Sequence, residues 1–159
     1  MKYTRTQEKT AAFGLLILSR IKALEFTEGA DQNTILVRIA GGGDGGGHFP
    51  PLPLEANYLE VKKFVFDDVT GPNEALDNST YFPNGPITSK QAEELSEFLI
   101  KNIHHNLVVH CEAGISRSSA VGLFWAHIKE DKLLYEIIEE SAEYWPNNYV
   151  YSKLLATIA

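Results

Sequence analysis

The chain has 159 residues, 44% of them hydrophobic, which suits one domain over 1–159 with a single core and is too apolar for a disordered chain. A formal net charge of −7 argues against broad adhesion to nucleic acid or to an anionic membrane, while leaving room for a local basic pocket. The first ten residues are polar and mixed in charge, with no secretory pattern, and the longest apolar run, 11–18, is too short to cross a bilayer; the expectation is a cytoplasmic protein with no membrane contact.

In chain order, Phe13 to Leu18 reads as a strand and Arg20 to Phe26 as a short helix after it. Thr34 to Ile39 reads as a second strand, and Phe64 to Phe66 as the end of a third. Ile87 to Asn102 predicts a helix: Thr88 with Gln91 three positions on forms a capping box, and Ala92, Leu95, Leu99 and Ile103 share a face. Asn106 to His110 is a short buried strand, and Ser118 to Ile128 a helix apolar on nearly every side. Leu133 to Ser141 and Val150 to Ile158 read as closing helices. Strands separated by helices imply an α/β fold, a mostly parallel central sheet flanked by helices.

Gly41 to Gly47 spells GGGDGGG, and Gly41, Gly43 and Gly46 match the spacing of a dinucleotide-binding turn. That turn has to open a helix, whereas Pro50, Pro51 and Pro53 follow here and forbid one. The stretch reads as a surface loop, and no cofactor is expected.

Cys111 is the one cysteine. A lone thiol forms no intrachain disulfide and no cysteine-rich zinc site, and no metal site is expected. On count alone it would be a small buried hydrophobe; its setting in VVHCEAGISRSSA (108–120) says otherwise. A buried strand ends at His110. Glu112, Ala113, Gly114, Ile115 and Ser116 follow Cys111 before Arg117 begins a helix. Such a loop can curl so that successive N–H groups converge as an anion nest, completed by the helix N-terminus. Gly114 permits a backbone angle other residues avoid. A cation at a helix N-terminus opposes the macrodipole, so Arg117 is expected there for a bound anion, two of whose oxygens its planar fork can hold. Amides, helix and Arg117 together favour a thiolate at Cys111, placed for in-line attack on a bound phosphate. The expected part of His110 is to fix the loop by hydrogen bonds, and that of the Ser118 hydroxyl is to reach the sulfur and ease its departure.

HCEAGISRSSA resembles the signature of the protein tyrosine phosphatase superfamily, and more closely its small dual-specificity-like branch, which includes compact bacterial and phage members. The match is tight over 108–120 and looser, in element order, from about Phe64 onward. The resemblance implies metal-free, two-step hydrolysis of phosphate monoesters through a phospho-cysteine intermediate, acting on a phosphorylated protein or a small phosphomonoester. It implies Cys111, Arg117, Ser118 and an aspartate as catalytic residues, with 112–117 binding phosphate. Asp67 and Asp68, at the end of KKFVF, are candidates for the general acid that protonates the leaving oxygen. The dual-specificity pattern places the acid at Asp68; Asp77 is a more distant candidate. The long connection from Asp68 to Pro86 reads as a rim over the site.

Two other readings stand beside catalysis. One is a pseudophosphatase that binds phosphate without turnover. The other is a rhodanese-type sulfurtransferase, from which His110 and the Arg117–Ser118 pair point away. His48, His104, His105 and His127 show no ligand spacing; His127, inside an apolar helix, reads as a core residue, and Trp125 and Trp145 as core or near-core aromatics. Asn78 to Thr80 matches a glycosylation acceptor, discounted for a cytoplasmic chain.

Overall fold

Thr34–Ala40 is buried at every position, as befits a strand covered on both faces of a parallel sheet. The computed structural model describes residues 2–41, 48–77 and 81–159, including the side chains of all but 75–77. Its strands are β1 (Leu15–Leu18), β2 (Thr34–Ala40), β3 (Glu60–Val65) and β4 (Asn106–His110), in one four-stranded sheet of order β1-β4-β2-β3. Every pairing is parallel, with His110 opposite Leu18 on one side and Arg38 on the other. The helices are α1 (Arg5–Ala11), α2 (Arg20–Glu25), α3 (Pro72–Asp77), α4 (Ser89–Lys101), α5 (Arg117–Ile128), α6 (Lys132–Glu140) and α7 (Asn148–Ala156), with a 3-10 turn at Glu55–Asn57. The expected parallel α/β sheet flanked by helices is the one observed. No helix among the described residues is long and apolar enough to cross a membrane.

Because side chains alternate along a strand, the sheet has two different faces. Ile17, Val37, Leu107, Val109 and Cys111 face a large core that includes Leu95, Phe124, Trp125, Leu134 and Leu154 from the helices. Leu18, Leu36 and Val108 face a smaller one, closed by Ala23, Phe26, Leu52 and Tyr58. Helix α5 lies in the larger core and is buried continuously from Arg117 to Ala126, in keeping with a sequence apolar around its whole circumference.

The predicted capping box of α4 is present in both directions: Gln91 N–H donates to Thr88 Oγ1 at 3.1 Å and Thr88 N–H to Gln91 Oε1 at 2.9 Å. The Gln91 amide also donates to the Val65 carbonyl at 2.8 Å, fastening α4 to the end of β3.

The polar start of the chain, for which the pattern predicts no element, forms α1, opened by a second capping box between Thr4 and Gln7. Other expectations need correction. The connection after Asp68 holds a short helix, α3. His127 is exposed, because it falls on the outer side of the last turn of α5. Trp125 is fully buried, but Trp145 is 82% exposed: its backbone N–H is tied to the Ile115 carbonyl at 3.0 Å, and its ring stands outward. Positions 42–47 of the glycine stretch and the acceptor motif at 78–80 lie outside the described residues.

Candidate active site

Strand β4 delivers Cys111 to the carboxyl edge of the sheet, where sites in open parallel sheets gather. A pocket of about 400 Å³ opens there, with Cys111, Arg117, Ile115, Asp68 and Phe82 in its walls. A larger hollow of about 650 Å³ lies over α5 and α6, between His127, Glu136, Tyr135 and Tyr151; its lining includes no cysteine and no arginine.

The loop from Cys111 to Arg117 is held from outside by its carbonyls. The Glu112 carbonyl accepts from Arg20 N–H, that of Ile115 from Trp145 N–H, and that of Ser116 from the N–H groups of Asn147 and Ala120, all at 3.0–3.1 Å. The Ser119 hydroxyl also donates to the carbonyls of Ile115 and Ser116. Among the described residues, no acceptor takes the N–H groups of 112–116. A loop whose carbonyls are drawn to surrounding donors while its amides stay uncommitted is suited to an anion. Gly114 has φ +72°, and a Cβ there would stand 2.6 Å from the Leu18 carbonyl carbon and the Ser19 nitrogen. Both the backbone angle and the close approach to the end of β1 therefore require glycine. Glu112, one residue past the cysteine, pairs with Arg20 at 3.0 Å, which draws its charge toward α2.

Cys111 is 2% exposed, with its sulfur 3.1 Å from the Ser118 hydroxyl. Arg117 is nearly as buried, and its Nη1 donates to the Phe66 carbonyl at 3.0 Å. That bond ties the guanidinium to the residue just past β3, and Arg117 and Cys111 both line the pocket.

His110 faces the opposite side of the sheet from Cys111. Its Nε2 lies 2.9 Å from Arg38 Nε, and its Nδ1 lies 3.1 Å from the Cys111 carbonyl. Arginine can only donate, so Nε2 is the accepting nitrogen and the proton of the neutral ring sits on Nδ1, where it donates to that carbonyl. Burial is the largest cause lowering the His110 pKa to about 4, with Arg38 adding to it and the bond to the Cys111 carbonyl opposing it. The ring is thus neutral at ordinary pH. Arg38 is itself 1% exposed, and the rest of its guanidinium binds Glu55 at 2.8 Å and the Pro50 carbonyl at 2.7 Å.

The two adjacent aspartates differ sharply. Asp67 is buried. Its Oδ2 accepts from the N–H groups of Asn84 (2.8 Å) and Gly85 (2.9 Å), and its Oδ1 from Asn84 Nδ2 at 3.3 Å. Gly41 packs against it so closely that a Cβ would stand 2.5 Å from the Phe66 carbonyl oxygen and 2.8 Å from Asp67 Oδ1. Asp68 is exposed, and its Oδ1 accepts from Ser116 Oγ and from Asn147 Nδ2, each at 2.8 Å. The residue after Asp67 is therefore the one that reaches across to the cysteine loop. Asp77 ends α3, and its side chain is not among those described.

Three contributors went unnoticed in the sequence. Arg38 could have been found as a lone cation inside the apolar run TILVRIA, since a fully buried charge is rare without a partner. Asn147 could have been found as a cap, an asparagine directly before an apolar helix. Arg20 carries no local signal, because its partner Glu112 is far along the chain.

No protein-family model matches the chain, and no curated protein matches it. Solved structures do. Human DUSP28 superposes with a TM-score of 0.55 at 13% identity, over 91% of this chain and 90% of that one. Tk-PTP in its active form gives 0.54 at 14%, over 90% and 88%. A human tyrosine phosphatase-like serine/threonine/tyrosine-interacting protein gives 0.58 at 15%, over 90% and 89%. At such identities the likeness concerns architecture, and the chain has the fold of the dual-specificity and tyrosine phosphatases.

Proposed function

We propose that the protein is a cysteine-dependent phosphatase that hydrolyses phosphate monoesters in two steps. The observation that carries this reading is the Cys111–Arg117 loop: its carbonyls are engaged by surrounding donors, its N–H groups are uncommitted, and a sulfur lies at its base. In the first step the Cys111 thiolate attacks phosphorus. An S–P bond forms, the P–O ester bond breaks, and the leaving oxygen takes a proton from Asp68. In the second, water attacks phosphorus and gives its proton to the Asp68 carboxylate, the S–P bond breaks, and the sulfur leaves as a thiolate stabilised by the Ser118 hydroxyl. The amides of 112–117 and the Arg117 fork hold the phosphoryl oxygens throughout, where fixed donors act most strongly on the transition state.

Charge and shape bear on the substrate. Glu112 and Asp68 stand in the pocket wall and the loop carries no lysine, which weighs against highly anionic substrates. The pocket wall includes Ile115 and Phe82, and the exposed Trp145 is bonded to the loop beside them. An exposed apolar rim of this kind suits a phosphorylated protein better than a small polar metabolite. A single unpaired thiol is at home in a reducing compartment, in keeping with the cytoplasm.

The alternative, a module that binds phosphate without turning it over, would need neither a sulfur against Ser118 nor a carboxylate reaching the loop, and this chain has both. Steady turnover of an aryl phosphate, with a phospho-cysteine trapped by acid quench, is the expected result. Tight binding of phosphate or vanadate with no turnover of phosphotyrosine, phosphoserine or aryl phosphate would select the binding module instead.

A further inference from the structure

We infer that Asn147 is a positioning residue for the general acid, holding Asp68 by one carboxylate oxygen so that the proton to be donated sits on the other. The inference rests on the assignment of Asp68 made above. Asn147 is buried at the start of α7, and every polar atom of its side chain is committed. Its Oδ1 accepts from Val150 N–H at 3.1 Å and caps the helix. That contact fixes which end of the amide is which: the carbonyl faces the helix, so the NH₂ faces away from it. The two hydrogens go to Asp68 Oδ1 at 2.8 Å and to the Val69 carbonyl at 2.9 Å. One amide thus grips both the carboxylate and the backbone of the segment that carries it.

The same residue is joined to the cysteine loop through its backbone, its N–H donating to the Ser116 carbonyl at 3.1 Å. Ser116 in turn donates its hydroxyl to Asp68 Oδ1 at 2.8 Å. Asp68, Ser116 and Asn147 therefore form a closed ring of contacts linking the acid, the phosphate loop and α7. Two donors on Oδ1 leave no place there for a carboxylic proton, and among the described residues no donor is recorded on Oδ2. When Asp68 is protonated its hydrogen lies on Oδ2, and one oxygen is dedicated to anchorage while the other exchanges protons with the leaving group.

Asn147→Ser separates this role from helix capping, because serine is also a strong cap but lacks the amide donors. We expect the variant to melt within a few degrees of the parent and to bind vanadate as the parent does. Its kcat on a phosphate ester with a poor leaving group should fall roughly ten- to hundredfold, the loss of one hydrogen bond to a charged group, while kcat on an activated aryl phosphate stays within about threefold. In an Asp68→Asn background the same substitution should add nothing to the leaving-group dependence. Asn147→Asp, another strong cap, sets an acceptor against the acid and should give the same selectivity of loss, which keeps the test open if the serine variant folds poorly. Equal loss on both substrates, or a loss that persists in the Asp68→Asn background, would overturn the inference and leave Asn147 a structural residue. If Asp68→Asn alone shows no leaving-group dependence, the acid assignment itself falls, and this inference with it.

Discussion

The wall of the pocket made by Cys111–Arg117 is continuous in the chain, whereas the facing wall is assembled from Gly41, Asp67, Asp68 and Phe82 and is held in place by Asn84, Gly85 and Asn147, with partners up to 79 positions apart. The first is built from local backbone geometry: a strand end, a glycine at positive φ and a helix start. The second depends on side chains reaching across the fold. A continuous wall concentrates its chemistry in a few residues, so single changes there should be severe. An assembled wall spreads its task over several contacts, so changes there should be graded and selective.

The largest effect belongs to the continuous wall. Cys111→Ser should abolish turnover while phosphate or vanadate binding largely persists, because a hydroxyl without a base beside it is a poor nucleophile and the amide nest is untouched. Isothermal titration paired with an aryl phosphate assay checks both halves; substantial residual turnover would remove Cys111 from the chemistry. Next comes Arg117→Lys, expected to cost roughly a hundredfold or more in kcat/KM, since lysine can neither grip two phosphoryl oxygens nor keep the bond to the Phe66 carbonyl in the same geometry. Activity within a few-fold of the parent would show that the guanidinium is not a phosphate clamp.

The assembled wall should respond more selectively, with the loss confined to poor leaving groups. Asp68→Asn should remove the basic limb of the pH–rate profile and slow poor leaving groups by about a hundredfold or more, with little effect on activated aryl phosphates. Asp67→Asn should keep that limb. Its cost should appear as a lower melting temperature, since Asp67 holds the turn at Asn84 and Gly85 together. The reverse pattern would exchange the roles of the two residues.

The smallest effect concerns the support beneath the continuous wall. His110 titrates at about 4 in the folded chain instead of 6.5, so between those values the unfolded chain binds a proton that the folded chain refuses. Stability from this group is therefore complete above pH 6.5 and declines as pH falls toward 4, by up to about 3 kcal/mol. His110→Gln should flatten that part of the stability curve, measured by urea unfolding across pH 4 to 7. An unchanged slope would mean that His110 is not the group responsible.

How far the sequence could be read follows the same division. The strand at Asn106–His110, the loop after it, helix α5 and the capping box of α4 all rest on neighbours a few positions apart, and each is where the pattern puts it. Helix α1 carried an equally local signal, the Thr4–Gln7 box, but its polar composition masked it. Trp145 was misplaced because apolarity alone suggests burial, whereas its ring is exposed and only its backbone is engaged, by the Ile115 carbonyl. Arg38 and Asn147 became intelligible only once the fold brought His110 to one and Asp68 to the other. A buried polar side chain is explained by its partner, and a distant partner cannot be read from spacing.

The contrast between the two tryptophans has an optical consequence. Trp125 is fully buried in α5, while Trp145 stands 82% exposed with its backbone bonded to the phosphate loop. Iodide in solution reaches the second indole and not the first, so the quenchable part of the tryptophan emission comes from the one ring whose backbone is tied to the Cys111–Arg117 loop. Movement of the Ile115 carbonyl is expected to reach that ring through the Trp145 N–H, and a change in iodide quenching on adding vanadate, read without a label and without turnover, checks it.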